Sequence, residues 1–474
     1  MFLGLHWDDI VYLVLLFGSI GFGPFFREIK DPQKRKNISS IIGFIIVIIV
    51  SGRHTVYPLI CTVVNALIIK CLDKKIVHKV SFAFSFVFLI LFRSVEYFGL
   101  PAYPNPTNLV MMIMTLKMVG LAYEVNDVYK HQKNLNSNKS EETRIIEIPS
   151  FIDIFHYGYS YLGVLAGPYY TFRTYCDLFT TPFWKYANCE SVALERFKYL
   201  PIYGVIFLVL SYYYPFSEVE DIDSFNEKSL WYRLWFCFPS FAQFRMRMYI
   251  GMRLAEIVVI MGGLGAYPEF CEPATLGPTK NLGQLTELSS DEEKASKEQY
   301  NFVTVYSIEP YHTEFETTVR ASMKYWNMSV QCWLTSYIYL RSSKAYRTLF
   351  TFVVSAVWHG TSPGYFFSFV SVALFLPIED IYRRKSKQME VASWVATLCW
   401  ILAHQSKHYL FGYWVVLFRL LAFWPCWSYL SSVYFIPTIL STLGMYLASL
   451  IIFRNVRSLK RTDQNAPQLV KKDS

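Results

Sequence analysis

Apolar runs recur along this chain at about the length a helix needs to cross roughly 30 Å of hydrocarbon. The clearest lie at 10–26, 38–50, 56–69, 80–100, 109–123, 199–214, 248–265, 346–357, 365–377, 391–403, 411–423 and 429–453. The pattern predicts an all-α, polytopic transmembrane protein with about ten to twelve spanning or re-entrant helices. Several runs are short or carry Pro and Gly. That predicts broken helices lining a buried cavity, where irregular backbone is tolerated at membrane depth. One transmembrane domain is expected over 1–453 and a basic tail over 454–474.

The loops between the runs carry an orientation, because Lys and Arg concentrate on the cytosolic side. Arg27, Lys30, Lys34, Arg35 and Lys36 follow the first run, whereas only Arg53 and His54 follow the second. Lys70, Lys74, Lys75 and Lys79 follow the third, and the loop at 101–107 has no charge. The alternation holds for five runs and predicts a lumenal N-terminus and a cytosolic polar stretch at 124–150. The first run follows Asp8 and Asp9 rather than a basic segment, and no small-residue cleavage site follows it, so it reads as a retained span. Arg454, Arg457, Lys460, Arg461, Lys471 and Lys472 make the tail cytosolic by the same rule. Its end, Lys471-Lys472-Asp473-Ser474, is similar to a dilysine retrieval signal read by a coat complex, which predicts the endoplasmic reticulum membrane.

Composition sharpens the membrane reading. Of 474 residues 53% are hydrophobic and only 17% charged, against roughly 25% charged in a soluble domain. The net charge of +9 is not accompanied by any nucleic-acid-reading motif, so the expected partners are membrane lipids and phosphates, not nucleic acid. Nine cysteines without a CxxC exclude a zinc site or disulfide framework as the organising feature.

Three constellations read as structure rather than chemistry. His404 and His408 are four apart, but the residues between them lack the glutamate of a HExxH site. Met261-Gly262-Gly263-Leu264-Gly265 is not a GxGxxG, and close helix packing accounts for it. The acidic stretch at 289–298 reads as a solvated loop. No metal site is expected.

The pair Asn327 and His359 differs in kind. His359 sits in the apolar Ser355-Ala356-Val357-Trp358-His359-Gly360 and Asn327 in Tyr325-Trp326-Asn327-Met328. Ionisable side chains at membrane depth are costly and tend to mark chemistry or transport. A neutral imidazole kept from water is competent to take a proton from an alcohol attacking an acyl carbon, a contribution of roughly 10² to 10⁴ in rate. The asparagine amide is suited either to orient the hydroxyl or to donate to a developing oxyanion, where one donor contributes about 3 kcal/mol. Spacing is compatible with both, and with a structural histidine bonded to a neighbouring helix.

These residues, with four stretches in order, carry a resemblance. The stretches are Gly167-Pro168-Tyr169-Tyr170-Thr171-Phe172-Arg173-Thr174-Tyr175, Phe244-Arg245-Met246-Arg247-Met248-Tyr249, Gly265-Ala266-Tyr267-Pro268, and Met323-Lys324-Tyr325-Trp326-Asn327-Met328-Ser329-Val330-Gln331. Together with Trp358-His359-Gly360 they resemble the membrane-bound O-acyltransferase superfamily, and within it the lysophosphatidylinositol acyltransferase branch. The chain departs from that pattern at Cys332, where a second tryptophan beside Trp333 is expected.

The resemblance implies transfer of an arachidonoyl-type acyl group from acyl-CoA to the sn-2 hydroxyl of lysophosphatidylinositol, with no cofactor beyond acyl-CoA as co-substrate. It implies His359 as general base and Asn327 as its orienting or oxyanion partner. Direct attack in a ternary complex is expected, because no Ser or Cys lies in a recognisable nucleophile elbow. An acyl-enzyme on Cys332 is the lesser alternative. Tyr325, Trp326 and Trp358 flank the pair and are candidate acyl-CoA contacts. Arg173, Arg245 and Arg247 are candidates for anionic headgroups or CoA phosphates, with interfacial snorkelling or structural ion pairs as the competing reading. Another lysophospholipid, a protein hydroxyl as acceptor, or a lipid transporter also remain open, although no second copy of the Trp-His-Gly or Tyr-Trp-Asn elements suggests a transporter repeat. The sequons at Asn37, Asn138 and Asn327 are expected to be unglycosylated, the first two for their cytosolic placement and the third for its apolar setting.

Overall fold

A computed structural model describes residues 7–135, 148–165, 167–386 and 392–447. The tail at 454–474, with Lys471 and Lys472, and the sequon at Asn138 lie outside them. Among the described residues the fold is helical, with four two-residue strands pairing as two small antiparallel ladders. Among the described residues five helices are long and apolar enough to cross a membrane, or six if a pair bent by 80° is one span. The chain is therefore a multi-pass membrane protein. The remaining apolar runs do form helices, but shorter or less apolar ones: Val77–Arg93 has 17 residues and Arg347–His359 has 13.

The chain divides into two compact units, one of Met1–Val209, Gln243–Glu314 and Met323–Thr361, the other of Leu210–Ala242, Phe315–Ser322 and Ser362–Ser474. In the first unit the runs become α1 (Trp7–Glu28), α2 (Pro32–Ser51), α3 (Val56–Cys71), α4 (Val77–Arg93) and α5 (Asn105–Leu135). Asp31 caps α2 by accepting from the amides of Gln33 and Lys34, and Pro32 opens it. The α5 helix runs twelve residues beyond the apolar run at 109–123, into the polar stretch expected to be cytosolic. It is the most enclosed of the candidate spans, with 83% of its apolar window buried. Lys117, fully buried on it, donates to the carbonyl of Tyr157 at 3.1 Å and to the Tyr170 hydroxyl at 3.1 Å. Glu124, two turns further on, accepts from the amides of Phe172 and Arg173 at 2.9 and 3.2 Å. Two ionisable residues of one helix thus hold Tyr157, Tyr170, Phe172 and Arg173.

Not all of the basic residues that follow the first apolar run face outward. Arg35 is 3% exposed and lies over the rings of Trp184, Phe179 and Phe26, while Arg27 pairs with Glu190. The glycine-rich stretch at 261–265 is close packing. Gly263 and Gly265 take φ of +81° and +84°, and a Cβ on each would lie 2.5 Å from Trp184 and 2.6 Å from Val305. The acidic stretch differs from the expected loop. Asp291 caps a short exposed helix, Glu292–Lys297, by accepting from the Lys294 amide, and Glu293 pairs with Lys297 one turn on at 2.6 Å.

In the second unit the runs at 391–403 and 411–423 join into a single helix, Ser393–Leu420. His404 and His408 meet edge-to-face on it with ring centroids 4.6 Å apart, among Trp400, Phe241 and Phe315. The run at 429–453 instead starts at Phe423 and breaks after Ser432, where Tyr434 and Phe435 both take positive φ. Glu379 on the helix Pro363–Ser386 accepts from the amides of Val319 and Arg320, and Arg320 grips Asp380 through two bonds of 3.0 and 2.7 Å.

Candidate active site

His359 is the last residue of the helix Arg347–His359, with Trp358 buried beside it. The indole of Trp358 meets the imidazole edge-on, with centroids 4.7 Å apart and planes at 71°. Its Nε1 donates to the carbonyl of Met112 at 3.0 Å. The guanidinium of Arg93, at the end of α4, donates to the carbonyls of Val357 at 2.9 Å and Trp358 at 2.7 Å. These carbonyls belong to the last turn of the helix and have no partner within it.

Asn327 is the residue before the helix Met328–Leu334, with φ of +46° and no capping bond from its side chain. The backbone around it is bracketed. The Glu309 amide donates to the carbonyl of Tyr325 at 3.0 Å, and the Met328 amide donates to the carbonyl of Ser307 at 2.6 Å. The segment supplying those bonds is held by Glu256, which is fully buried and accepts from the amides of Ser307 and Ile308 at 2.6 and 2.9 Å. Arg196 and Arg253 pair with Glu256 and again with Glu309. Four buried or half-buried charges therefore compensate one another under the loop that ends at Asn327.

The α5 helix serves both halves. Trp333 donates from Nε1 to the carbonyl of Leu116 at 3.1 Å, one turn along α5 from the Met112 carbonyl that receives Trp358. The segment after Asn327 then continues beside α5, with Tyr337 stacked on Tyr123 and Arg341 holding Asp127 at 3.0 and 2.6 Å. That segment includes a π-helical turn at Thr335–Tyr339, a distortion frequent at functional sites.

The flanking candidates fall in different places. Tyr325 stacks on His312 at 4.3 Å, and Trp326 stacks on Phe244 at 6.1 Å and lies against Tyr249. Trp358 is 4% exposed and committed to α5. Arg245 pairs with Glu314 at 2.9 Å, and Glu314 also accepts from Tyr249, which is the structural ion pair raised as the alternative. Arg247 is the exposed member, its side chain 70% accessible and 3.9 Å from Asp9. Arg173 sits in the first turn of the helix Phe172–Thr180, its amide on Glu124. Cys332 is half-buried in the helix that follows Asn327. Among the described residues no group of three or more His, Cys, Asp or Glu is placed to hold a metal ion.

Sequence reading missed Arg93, Asn108, Glu256 and the α5 carbonyls. The first and third carried a usable signal, being charges inside the runs at 80–100 and 248–265. Backbone carbonyls carry none.

Comparison with known proteins follows the same span. The model of the membrane-bound O-acyltransferase family matches residues 54–440. A membrane-bound acylglycerophosphatidylinositol O-acyltransferase of Drosophila melanogaster is 34% identical over 467 residues, covering 93% of each chain. Proteins of the same name from Xenopus laevis and Homo sapiens are 33% and 34% identical, covering 96% and 78% of this chain and 97% and 79% of their own. The half-buried histidine at a helix end, the asparagine before a second helix and the extent of these matches lead to one conclusion: the chain belongs to the membrane-bound O-acyltransferase family.

Proposed function

We propose that this enzyme transfers a fatty acyl group, arachidonoyl-type by preference, from acyl-CoA to the sn-2 hydroxyl of lysophosphatidylinositol in phospholipid remodelling. The observation that carries the chemistry is His359 at the end of the helix Arg347–His359, whose final turn is bonded to two neighbouring helices. The acceptor rests on the relatives, which are named as acylglycerophosphatidylinositol O-acyltransferases.

In this reading a ring nitrogen of His359 takes the proton of the acceptor hydroxyl as its oxygen forms a bond to the thioester carbonyl carbon. The Asn327 amide donates to the oxyanion of the tetrahedral intermediate, or orients the hydroxyl before attack. Collapse breaks the carbon–sulfur bond, and the departing thiolate takes the proton from the imidazolium, leaving the acylated lipid, free CoA and a neutral histidine. A thioester is already activated, so the protein has to supply orientation, a base and a place for charge to develop. Tyr325 and Trp326 offer aromatic surface in the two positions before Asn327. Of the three arginines, Arg247 presents its guanidinium outward and is our candidate for an anionic headgroup or CoA phosphate.

Membranes containing the protein, supplied with arachidonoyl-, oleoyl- or palmitoyl-CoA and with lysophosphatidylinositol, lysophosphatidylserine or lysophosphatidylcholine, test this reading. Fastest transfer is expected for arachidonoyl-CoA with lysophosphatidylinositol. Faster transfer to another lysolipid would move the acceptor and keep the chemistry, and no transfer to any acceptor would refute the assignment.

A further inference from the structure

Arg93 closes α4 in an apolar run, a costly place for a guanidinium unless its donors are committed. Its fork is engaged on both sides. Nη1 and Nη2 reach the carbonyls of Val357 and Trp358 at 2.9 and 2.7 Å, and Nε donates to the side-chain oxygen of Asn108 at 3.0 Å. The carbonyl of Trp358 lies in the peptide plane that joins Trp358 to His359, so fixing it fixes the backbone from which the imidazole projects. The Val357 carbonyl adds a second point, and the Asn108 bond sets the plane of the fork. On the other side, Trp358 is tied to the Met112 carbonyl at 3.0 Å and lays its ring against the imidazole.

We propose that Arg93 is a positioning residue for His359: its planar fork holds the last carbonyls before the histidine and thereby aims the imidazole at the acceptor hydroxyl. The inference rests on His359 being the general base. Lysine, a point charge without a fork, does not reproduce the planar geometry that spans two carbonyls and Asn108. Removal of the guanidinium leaves the final turn free to fray, and a misplacement of about 1 Å costs on the order of 100-fold in rate.

The experiment uses purified full-length protein and the variants Arg93→Ala, Arg93→Lys, Asn108→Ala and His359→Ala, with arachidonoyl-CoA and lysophosphatidylinositol and with or without methylguanidinium. Arg93→Ala is expected to lose about 10-fold to 100-fold in kcat while KM for both substrates stays within about 2-fold. Methylguanidinium is expected to restore part of that kcat, which a generally misfolded variant would not allow. Asn108→Ala, which removes the bond that sets the plane of the fork, and Arg93→Lys are expected to lose kcat less, again with KM unchanged. If Arg93→Ala does not fold, these two variants decide, and wild-type kcat in both overturns the inference. Wild-type kcat in a folded Arg93→Ala alongside an inactive His359→Ala overturns the positioning role alone. Transfer that survives His359→Ala overturns the inference together with the base.

Discussion

Asn327 has two reasons to be asparagine, and they separate experimentally. Its φ of +46° is left-handed backbone, where Asn is several-fold enriched among non-glycine residues, so its presence is explicable without chemistry. Its side chain, however, makes no bond to the first turn of the helix it precedes. Glycine adopts the same backbone without strain and has no amide. Asn327→Gly is expected to fold as the wild type, with an unchanged thermal midpoint, and to lose about 3 kcal/mol of transition-state stabilisation, read as a fall of about 100-fold in kcat. Wild-type activity in Asn327→Gly would make Asn327 a backbone residue only. At this scale the sequence was informative about identity and silent about geometry. The Tyr-Trp-Asn and Trp-His-Gly motifs are visible as residues, whereas a positive φ and an unused amide are not.

At the scale of elements, the loop that ends at Asn327 is built from buried charge. Glu256 has no exposed surface and is shared by Arg196, Arg253 and two amides. Removing one member of such a cluster leaves its partners buried and unpaired, at a cost of about 3–5 kcal/mol. Glu256→Ala is therefore expected to lower the thermal midpoint and the activity together, unlike Asn327→Gly, which lowers activity alone. A Glu256→Ala variant with a wild-type midpoint would show that the cluster does not support the loop.

The apolar pattern predicted most helices but not their joins. Residues 404–410 lack Gly and Pro, so nothing in the backbone stops the helix between the runs at 391–403 and 411–423, and it continues. The break at Tyr434 and Phe435 is invisible for the opposite reason, since two aromatics in left-handed backbone follow no propensity rule and depend on tertiary packing. The role of α5 was equally hidden, because what it offers to Trp333 and Trp358 is backbone carbonyls one turn apart.

For the whole molecule, the membrane class was legible from hydropathy alone, because a chain in lipid must bury its backbone polar groups in helices and show apolar side chains outward. The number of long spans was not legible, because length and charge within each run decide it, and α4 with 17 residues shows how narrowly a run falls short. Family membership was legible because the motifs lie in order along the chain, and the family model covers 54–440. For the proposed site, the structure adds that the backbone at His359 and at Asn327 is held by several independent bonds within one unit, at His359 through Arg93 and Trp358, at Asn327 through Glu256 and Glu309. The central claim is that this protein performs histidine-dependent acyl transfer. The most direct test compares purified wild type and His359→Ala, matched for thermal midpoint, in the initial rate of labelled arachidonoyl transfer from CoA to lysophosphatidylinositol. The account predicts transfer by the wild type and a loss of at least roughly 100-fold in the variant. Equal rates in the two proteins would contradict it.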